Sequence, residues 1–164
     1  MKNNGKNKIT EEEKKLAPSI MEHAKGEKLK LNGASLVGLR WIFAYKKRLF
    51  RRFEGCEITN SHIEGSNLSH VNFKGSNFKG TVFKDCDLMS VNFWNAKMEG
   101  CTFVDCSMVF VNLDDANLKG SHFQNCNVIG ARLNGTDFEG ATFEKTNLDE
   151  ILLNNGKGIF LFYN

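Results

Sequence analysis

Residues 71–80 read "VNFKGSNFKG", two nearly identical pentapeptides in succession. The same pattern extends in both directions, because every fifth residue from Phe53 to Leu153 is Phe, Leu, Ile, Met or Val, giving twenty-one centres without an insertion. The residue two places before each centre is usually small, and the residue two places after it is Gly, Asn or Asp in sixteen of the twenty-one cases. Those three residue types adopt positive φ most readily. Each pentapeptide is therefore predicted to be a short extended segment with two inward side chains, followed by a turn.

A second period of twenty residues indicates how many segments close one coil. Side chains of the same kind recur at this longer spacing in the small slot and at the centres. The recurring sets are Val71, Val91 and Val111; Cys86, Cys106 and Cys126; and Phe83, Phe103, Phe123 and Phe143. Four segments of five residues account for the spacing, so the pattern predicts a four-sided coil.

The stretches "ANLKG" (116–120) and "TNLDE" (146–150) resemble the pentapeptide-repeat proteins, whose consensus is Ala-Asp/Asn-Leu-x-x. The resemblance covers residues 51–153 and implies an all-β solenoid, a right-handed quadrilateral β-helix. At about 4.8 Å between coils, slightly more than five coils would form a rod about 25 Å long. The family includes protein-interaction modules, bacterial effectors and proteins that protect DNA gyrase by imitating duplex DNA, so the resemblance implies a fold rather than one activity.

Three regions are predicted: a basic amino-terminal segment with a helical cap (1–52), the β-helix (53–155) and an apolar tail (156–164). The first holds fourteen Lys and Arg against five Glu, whereas the second holds seven against fourteen acidic residues. The apolar residues of "LRWIFAYKKRLFRRF" (39–53) follow helical spacing and predict a helix that covers the open end of the solenoid. The pentapeptide "ASLVG" (34–38) lies two positions out of register, which is consistent with a further coil interrupted by an insertion.

The sequence predicts neither an enzyme nor a metal or cofactor site. All five Cys occupy the small inward slot, where a reduced thiol packs as a small hydrophobe. No C-x-x-C pair, Gly-rich phosphate loop or nucleophile elbow occurs. His62 and His122 fall in one column but three coils apart.

The candidate partner site is an apolar stripe in the outward positions. The residue after a centre is polar or charged on most sides, but on one side it is Met89, Val109 and Ile129 in successive coils. Apolar residues nearby in the pattern, Phe110, Trp94 and Val104, extend the stripe. Such a surface is typical of a protein interface, for a second copy or a different protein. The alternative is that the amino-terminal segment or the tail "GIFLFYN" (158–164) covers it.

Charge suggests two other partners. The acidic repeats favour a DNA mimic that binds gyrase, and no direct contact with nucleic acid is expected. The cluster Lys46, Lys47, Arg48, Arg51 and Arg52 could bind an anionic membrane surface, although it also fits the solvated face of a capping helix. The polar start of the chain lacks the pattern of a secretory signal, and no apolar run reaches the length of a membrane span. A cytoplasmic location is therefore expected, with export as an effector left open.

Overall fold

The computed structural model describes residues 30–32, 35–37, 53–158 and 161–163. Its repeats form a solenoid of parallel β-structure, and this confirms the predicted fold class. Within these described residues, nine three-residue strands follow in chain order. They are β1 (Lys30–Asn32), β2 (Ser35–Val37), β3 (Glu57–Thr59), β4 (His62–Glu64), β5 (Val82–Lys84), β6 (Thr102–Val104), β7 (His122–Gln124), β8 (Thr142–Glu144) and β9 (Leu161–Tyr163).

Four faces make up each coil, and we number them by their centres. Face 1 has its centres at Phe53, Phe73, Phe93, Leu113, Leu133 and Leu153; face 2 at Ile58, Phe78, Met98, Leu118 and Phe138; face 3 at Ile63, Phe83, Phe103, Phe123 and Phe143; and face 4 at Leu68, Leu88, Met108, Val128 and Leu148. Residues twenty apart pair in register, as in Phe83 with Phe103. The residue two places after each centre, called the corner residue here, has positive φ at all twenty-one positions from Gly55 to Asn155. Both periods read from the sequence are thus confirmed.

Face 3 carries the longest sheet, in the order β2-β4-β5-β6-β7-β8-β9. The other faces are held mainly by single bridges between residues that precede the centres, such as Asn72 with Asn92. On those faces the bridging residue is often Asn or Asp, and its Oδ1 accepts the N–H two residues ahead, as Asn92 does from Trp94 at 3.0 Å. This local turn replaces further ladder hydrogen bonds. Face 3 instead has Val, Thr or His there, side chains that make no such turn and favour extended backbone where they are β-branched.

The core is a continuous stack of the inward side chains. On face 3 the rings of Phe83, Phe103, Phe123 and Phe143 lie nearly parallel, with neighbouring centroids 5.1, 4.7 and 4.6 Å apart. These rings are at most 2% exposed. Their burial in one shared column makes each coil depend on its neighbours for stability.

The small inward slot is also a hydrogen-bonding position. Thr81 Oγ1 donates to the Ile58 carbonyl at 2.7 Å, and Thr136 Oγ1 donates to the Leu113 carbonyl at 2.8 Å, each twenty-three residues back. Cys101 Sγ makes the same contact with the Phe78 carbonyl at 3.1 Å. Ser, Thr and Cys therefore share one structural role, which is to donate a hydrogen bond to the carbonyl of a centre residue in the preceding coil.

The amino-terminal segment adds backbone to the first coil. Leu31 of β1 pairs with Ile58 and Leu36 of β2 pairs with Ile63, in both cases twenty-seven residues apart instead of twenty. Strands β1 and β2 thus continue faces 2 and 3 by one coil, and the other residues of the predicted interrupted coil lie outside the described residues. The predicted capping helix over residues 39–52 lies outside the described residues, whereas Phe53 belongs to face 1 and is 1% exposed.

Part of the apolar tail continues the solenoid at its other end. Strand β9 pairs in parallel with β8, with Phe162 opposite Phe143, nineteen residues apart instead of twenty. Leu161, Phe162 and Tyr163 remain more than half exposed. These three residues therefore extend face 3 and form its edge.

Candidate partner-binding face

The predicted stripe lies on face 4, where Met89, Val109 and Ile129 stack in successive coils. We call these three residues the apolar column. Their carbonyls accept hydrogen bonds from the corner residues of the preceding coil, for example Ser90 N to Val109 O and Phe110 N to Ile129 O, both at 2.9 Å. Met89 is 39% exposed, and Val109 and Ile129 are partly exposed. At the spacing of parallel strands, the column presents apolar surface over about 10 Å.

Short local hydrogen bonds hold the backbone of this column. Asp87 Oδ1 accepts the Met89 N–H at 3.0 Å, and Asn127 Oδ1 accepts the Ile129 N–H at 3.2 Å. The face is therefore ordered before any partner arrives. A rigid surface loses little conformational entropy on binding.

Phe110 stands at the corner between face 4 and face 1. It is 59% exposed and has φ of 56°, a conformation that is uncommon for bulky residues. Gly130 is the corner residue of the next coil, and a Cβ atom there would lie 2.6 Å from two carbon atoms of the Phe110 ring. The ring thus occupies the space that any side chain at position 130 would need.

Acidic residues lie along one edge of the apolar column. The segments 85–90, 105–110 and 125–130 contain Asp85, Asp87 and Asp105 but neither Lys nor Arg. Asp85 and Asp105 are exposed corner residues at the boundary with face 3. The surface is consequently apolar at its centre and acidic along one edge.

Trp94 has its contacts on the far side of face 1. Its Nε1 donates to Asp115 Oδ2 at 3.0 Å, and Lys74 Nζ lies 4.2 Å from the ring centroid. Asp115 is the corner residue between face 1 and face 2. Trp94 is therefore held at that corner, with the width of face 1 between it and the apolar column.

Val104 lies at the end of β6 on face 3, next to the corner residue Asp105. It is partly exposed and stacks between Lys84 and Gln124 in the outward column. Of the six residues predicted for the stripe, Met89, Val109, Ile129 and Phe110 form one continuous patch on face 4. Val104 and Trp94 flank this patch on the neighbouring faces.

The tail was one predicted cover for the stripe. Leu161–Tyr163 pair with β8 on face 3, so these residues do not cover face 4. The amino-terminal residues that formed the other predicted cover, and the basic residues Lys46, Lys47, Arg48, Arg51 and Arg52, lie outside the described residues.

Cys86, Cys106 and Cys126 line the inner side of face 4. Each Sγ lies near the carbonyl two residues before it, at 3.2 or 3.3 Å, and near a carbonyl of the preceding coil. Hydrogen bonding to Cys106 and then burial raise the pKa of the Cys86 thiol, and hydrogen bonding to Cys126 raises the pKa of Cys106 to about 12. The same contact lowers the pKa of Cys126, because Cys106 donates to it. These buried thiols pack within the wall of the coil and are not positioned to contact a ligand on its surface.

The histidine and acidic side chains of face 3 are paired within a coil or between neighbouring coils. His62 Nε2 lies 3.1 Å from Glu64 Oε2, and Lys84 Nζ lies 2.9 Å from Oε1 of the same carboxylate. His122 bonds to Thr142 at 2.6 Å. The described part of the chain contains no group of three or more metal-ligating side chains suited to a metal ion. Within the same residues, no helix has the length and apolar character needed to cross a membrane.

Buried charge on face 1 is also fully paired. Asp114 is 6% exposed, accepts hydrogen bonds from the Arg132 guanidinium, and accepts two more from the backbone and side chain of Asn134 at 2.9 and 3.0 Å. Hydrogen bonds from this many donors satisfy the buried carboxylate and leave it no position for a ligand. Asp114 is therefore interpreted as structural.

Comparison with known families identifies the repeat region. One family model, the pentapeptide repeat region, matches residues 76–153, and another, pentapeptide repeats in eight copies, matches residues 52–85. The chain belongs to the pentapeptide-repeat proteins. The resemblance read from "ANLKG" and "TNLDE" is thus confirmed. No curated protein matches the chain in sequence.

Solved structures of this family resemble the fold. HetL, which is involved in the regulation of heterocyst differentiation in the cyanobacterium Nostoc sp. strain PCC 7120, is 15% identical with a TM-score of 0.45; the match covers 80% of this chain and 68% of HetL. A pentapeptide-repeat protein from the Arabidopsis thaliana thylakoid lumen is 28% identical with a TM-score of 0.39, over 54% of this chain and 58% of that one. QnrB1, a plasmid-mediated fluoroquinolone resistance protein, is 12% identical with a TM-score of 0.35, over 79% and 88%.

Sequence reasoning identified the apolar column but missed two residues that shape this region. Gly130 seats the Phe110 ring, and Asp115 holds the Trp94 indole. The first could have been found from the period of twenty, since Phe110 and Gly130 occupy the same corner column. The second could not, because it depends on the direction in which the Trp94 side chain turns.

Proposed function

We propose that this protein is a non-catalytic scaffold that binds another protein through face 4. The observation that carries the proposal is the apolar column of Met89, which is exposed, and Val109 and Ile129, which are partly exposed, on a wall held by backbone hydrogen bonds. Between residues 54 and 149 the other outward positions are mostly polar or charged. Along this part of the rod, burial of face 4 against a partner would therefore remove more apolar surface from water than burial of another face. The paired histidines and carboxylates described above give no reason to assign catalysis.

Site-specific cross-linking tests the proposal. A photo-reactive amino acid at position 109 should capture a partner in the native host, whereas the same group at Gln124, an outward position on face 3, should not. The capture should disappear in a variant with Met89→Lys and Ile129→Lys. It should persist in a control with Thr102→Lys and Gln124→Lys, which adds the same charge to face 3.

Thermal unfolding of the same variants separates binding from folding. If face 4 is an interface, the Lys variants should unfold within a few degrees of the unsubstituted protein, because they place polar groups on an already exposed surface. A markedly lower Tm for Met89→Lys with Ile129→Lys would mean that the column is covered within the monomer. That result, or equal capture from positions 109 and 124, would contradict the proposal.

A second candidate function is mimicry of duplex DNA toward a type II topoisomerase such as gyrase. It is favoured by the acidic excess of residues 53–158, which hold fourteen Asp and Glu against eight Lys and Arg. A negative rod would compete for a positively charged DNA channel, and its effect would weaken as salt rises. Purified protein should then inhibit supercoiling by gyrase, or relieve its inhibition by a quinolone, at low salt. An absence of both effects at micromolar concentration would remove this candidate.

A further inference from the structure

Phe110 combines strain with exposure. Its φ of 56° places a bulky side chain in the left-handed region, which disfavours residues other than Gly, Asn and Asp. More than half of its surface is exposed, so burial in the core does not offset that cost. Most other corners of the solenoid have Gly, Asn or Asp. A strained, exposed aromatic residue beside an apolar column indicates a binding role.

The Phe110 ring also lies against the corner residue of the next coil. The ring lies so close to Gly130 that a Cβ atom added at position 130 would be 2.6 Å from two of its carbon atoms. Gly130 itself has φ of 64° and is fixed by the hydrogen bond of its N–H to the Asp149 carbonyl at 3.0 Å. The ring is therefore arranged before binding, which lowers the entropy lost when a partner packs on it. Aromatic residues held in this way are frequent binding hot spots.

Charge indicates the chemistry of the partner. Asp85, Asp87 and Asp105 lie in the coils that carry the apolar column, and no Lys or Arg occurs in the segments 85–90, 105–110 and 125–130. Such a surface attracts cationic groups and repels anionic ones over about one Debye length. A partner segment with apolar side chains flanked by Lys or Arg would match both the apolar centre and the acidic edge of face 4.

We propose that Phe110, seated on Gly130, is the anchor by which face 4 binds a protein segment that carries apolar side chains flanked by basic ones. This inference rests on the proposed function of face 4 and adds the anchor residue and the partner's chemistry. It is tested with a labelled amphipathic peptide of Leu and Lys, and with the matched peptide in which Glu replaces Lys. Binding is measured by fluorescence anisotropy at low and high salt.

Substitution of the anchor gives the first expected result. Phe110→Gly relieves the backbone strain and should weaken binding of the Leu/Lys peptide at least about tenfold, as for a hot-spot residue. Ser90→Gly is the matched control, because Ser90 is the corner residue one coil earlier with φ of 54°; its affinity should stay within about twofold. If Phe110→Gly does not fold, Phe110→Asn retains a residue type that tolerates this conformation.

Substitution of Gly130, on which the Phe110 ring lies, gives the second expected result. Gly130→Ala should displace the ring and weaken peptide binding to a similar extent, with little further loss when it is combined with Phe110→Gly. Gly120→Ala is its control: Gly120 has φ of 61° but nothing within 4 Å of an added Cβ, so it reports backbone strain alone. Gly120→Ala should leave the affinity unchanged.

Several results would overturn the inference. Equal affinity of Phe110→Gly and the unsubstituted protein would exclude Phe110 as the anchor, while the cross-linking experiment could still support face 4. Equal binding of the Leu/Glu and Leu/Lys peptides, or no binding of either, would exclude a basic partner. Dimerisation that Phe110→Gly abolishes in sedimentation experiments would assign the face to a second copy instead.

Discussion

Replacement of Phe103 by Ala tests the stacked core most directly. The ring is fully buried and lies between Phe83 and Phe123, with centroid distances of 5.1 and 4.7 Å and interplanar angles of 5° and 10°. Truncation of a buried Phe costs about 3–5 kcal/mol in unfolding free energy, because the favourable transfer of the ring from water is lost and a cavity is left in the core. Two stacked neighbours, each contributing about 0.5–1.5 kcal/mol, place Phe103 in the upper part of that range, at about 4–5 kcal/mol.

Equilibrium unfolding in urea, followed by circular dichroism, measures this loss. The matched control is Val104→Ala, since Val104 is the next residue of β6 and points outward. Its loss should be no more than about 1 kcal/mol, as is usual for partly exposed surface positions. A loss below about 2 kcal/mol for Phe103→Ala, or a loss equal to that of Val104→Ala, would refute the view that the Phe column supports the solenoid.

Further predictions follow from the small slot and from one ion pair. Burial raises the pKa of Cys101 to about 12, so at pH 8 this thiol should react with Ellman's reagent only after unfolding; rapid reaction in the native state would contradict its placement. Thr136→Val leaves the Leu113 carbonyl without its hydroxyl donor and should cost about 1–3 kcal/mol in a urea titration, whereas Thr136→Ser keeps the donor and should lose less. Hydrogen bonding to Lys84 is the largest cause of the lowered pKa of Glu64; the resulting stabilisation is present above the unfolded value near 4.5 and is lost as pH falls through the folded pKa. Lys84→Met should therefore raise the Glu64 pKa in an NMR titration, and an unchanged value would show that the pair does not form in solution.

The sequence predicted the regular part of the fold and the apolar column because both follow from local repetition. Each pentapeptide specifies its own turn, and a fixed period places Met89, Val109 and Ile129 one above another without knowledge of distant contacts. Lys79, Glu99, Lys119 and Glu139 alternate in sign in the outward column of face 2, a sequence pattern typical of a mutually supportive charged face. In the structure Lys119 lies 2.7 Å from Glu139 one coil away. Where the period breaks, this reasoning stops.

The pairings across broken periods were decided by the tertiary structure. Offsets of twenty-seven residues for β1 and β2 and of nineteen for β9 depend on backbone hydrogen bonds between segments whose spacing no longer matches the repeat. Side-chain direction was likewise decided in three dimensions: Trp94 turns toward Asp115 because that carboxylate can accept its N–H, and Phe110 lies on Gly130 because only a residue without Cβ leaves room. The sequence by itself thus determined the coil, its period and the residues of each face, since these are local properties of the chain. The end pairings and the direction of the Trp94 side chain required the tertiary structure, because they depend on contacts between residues that the repeat does not relate.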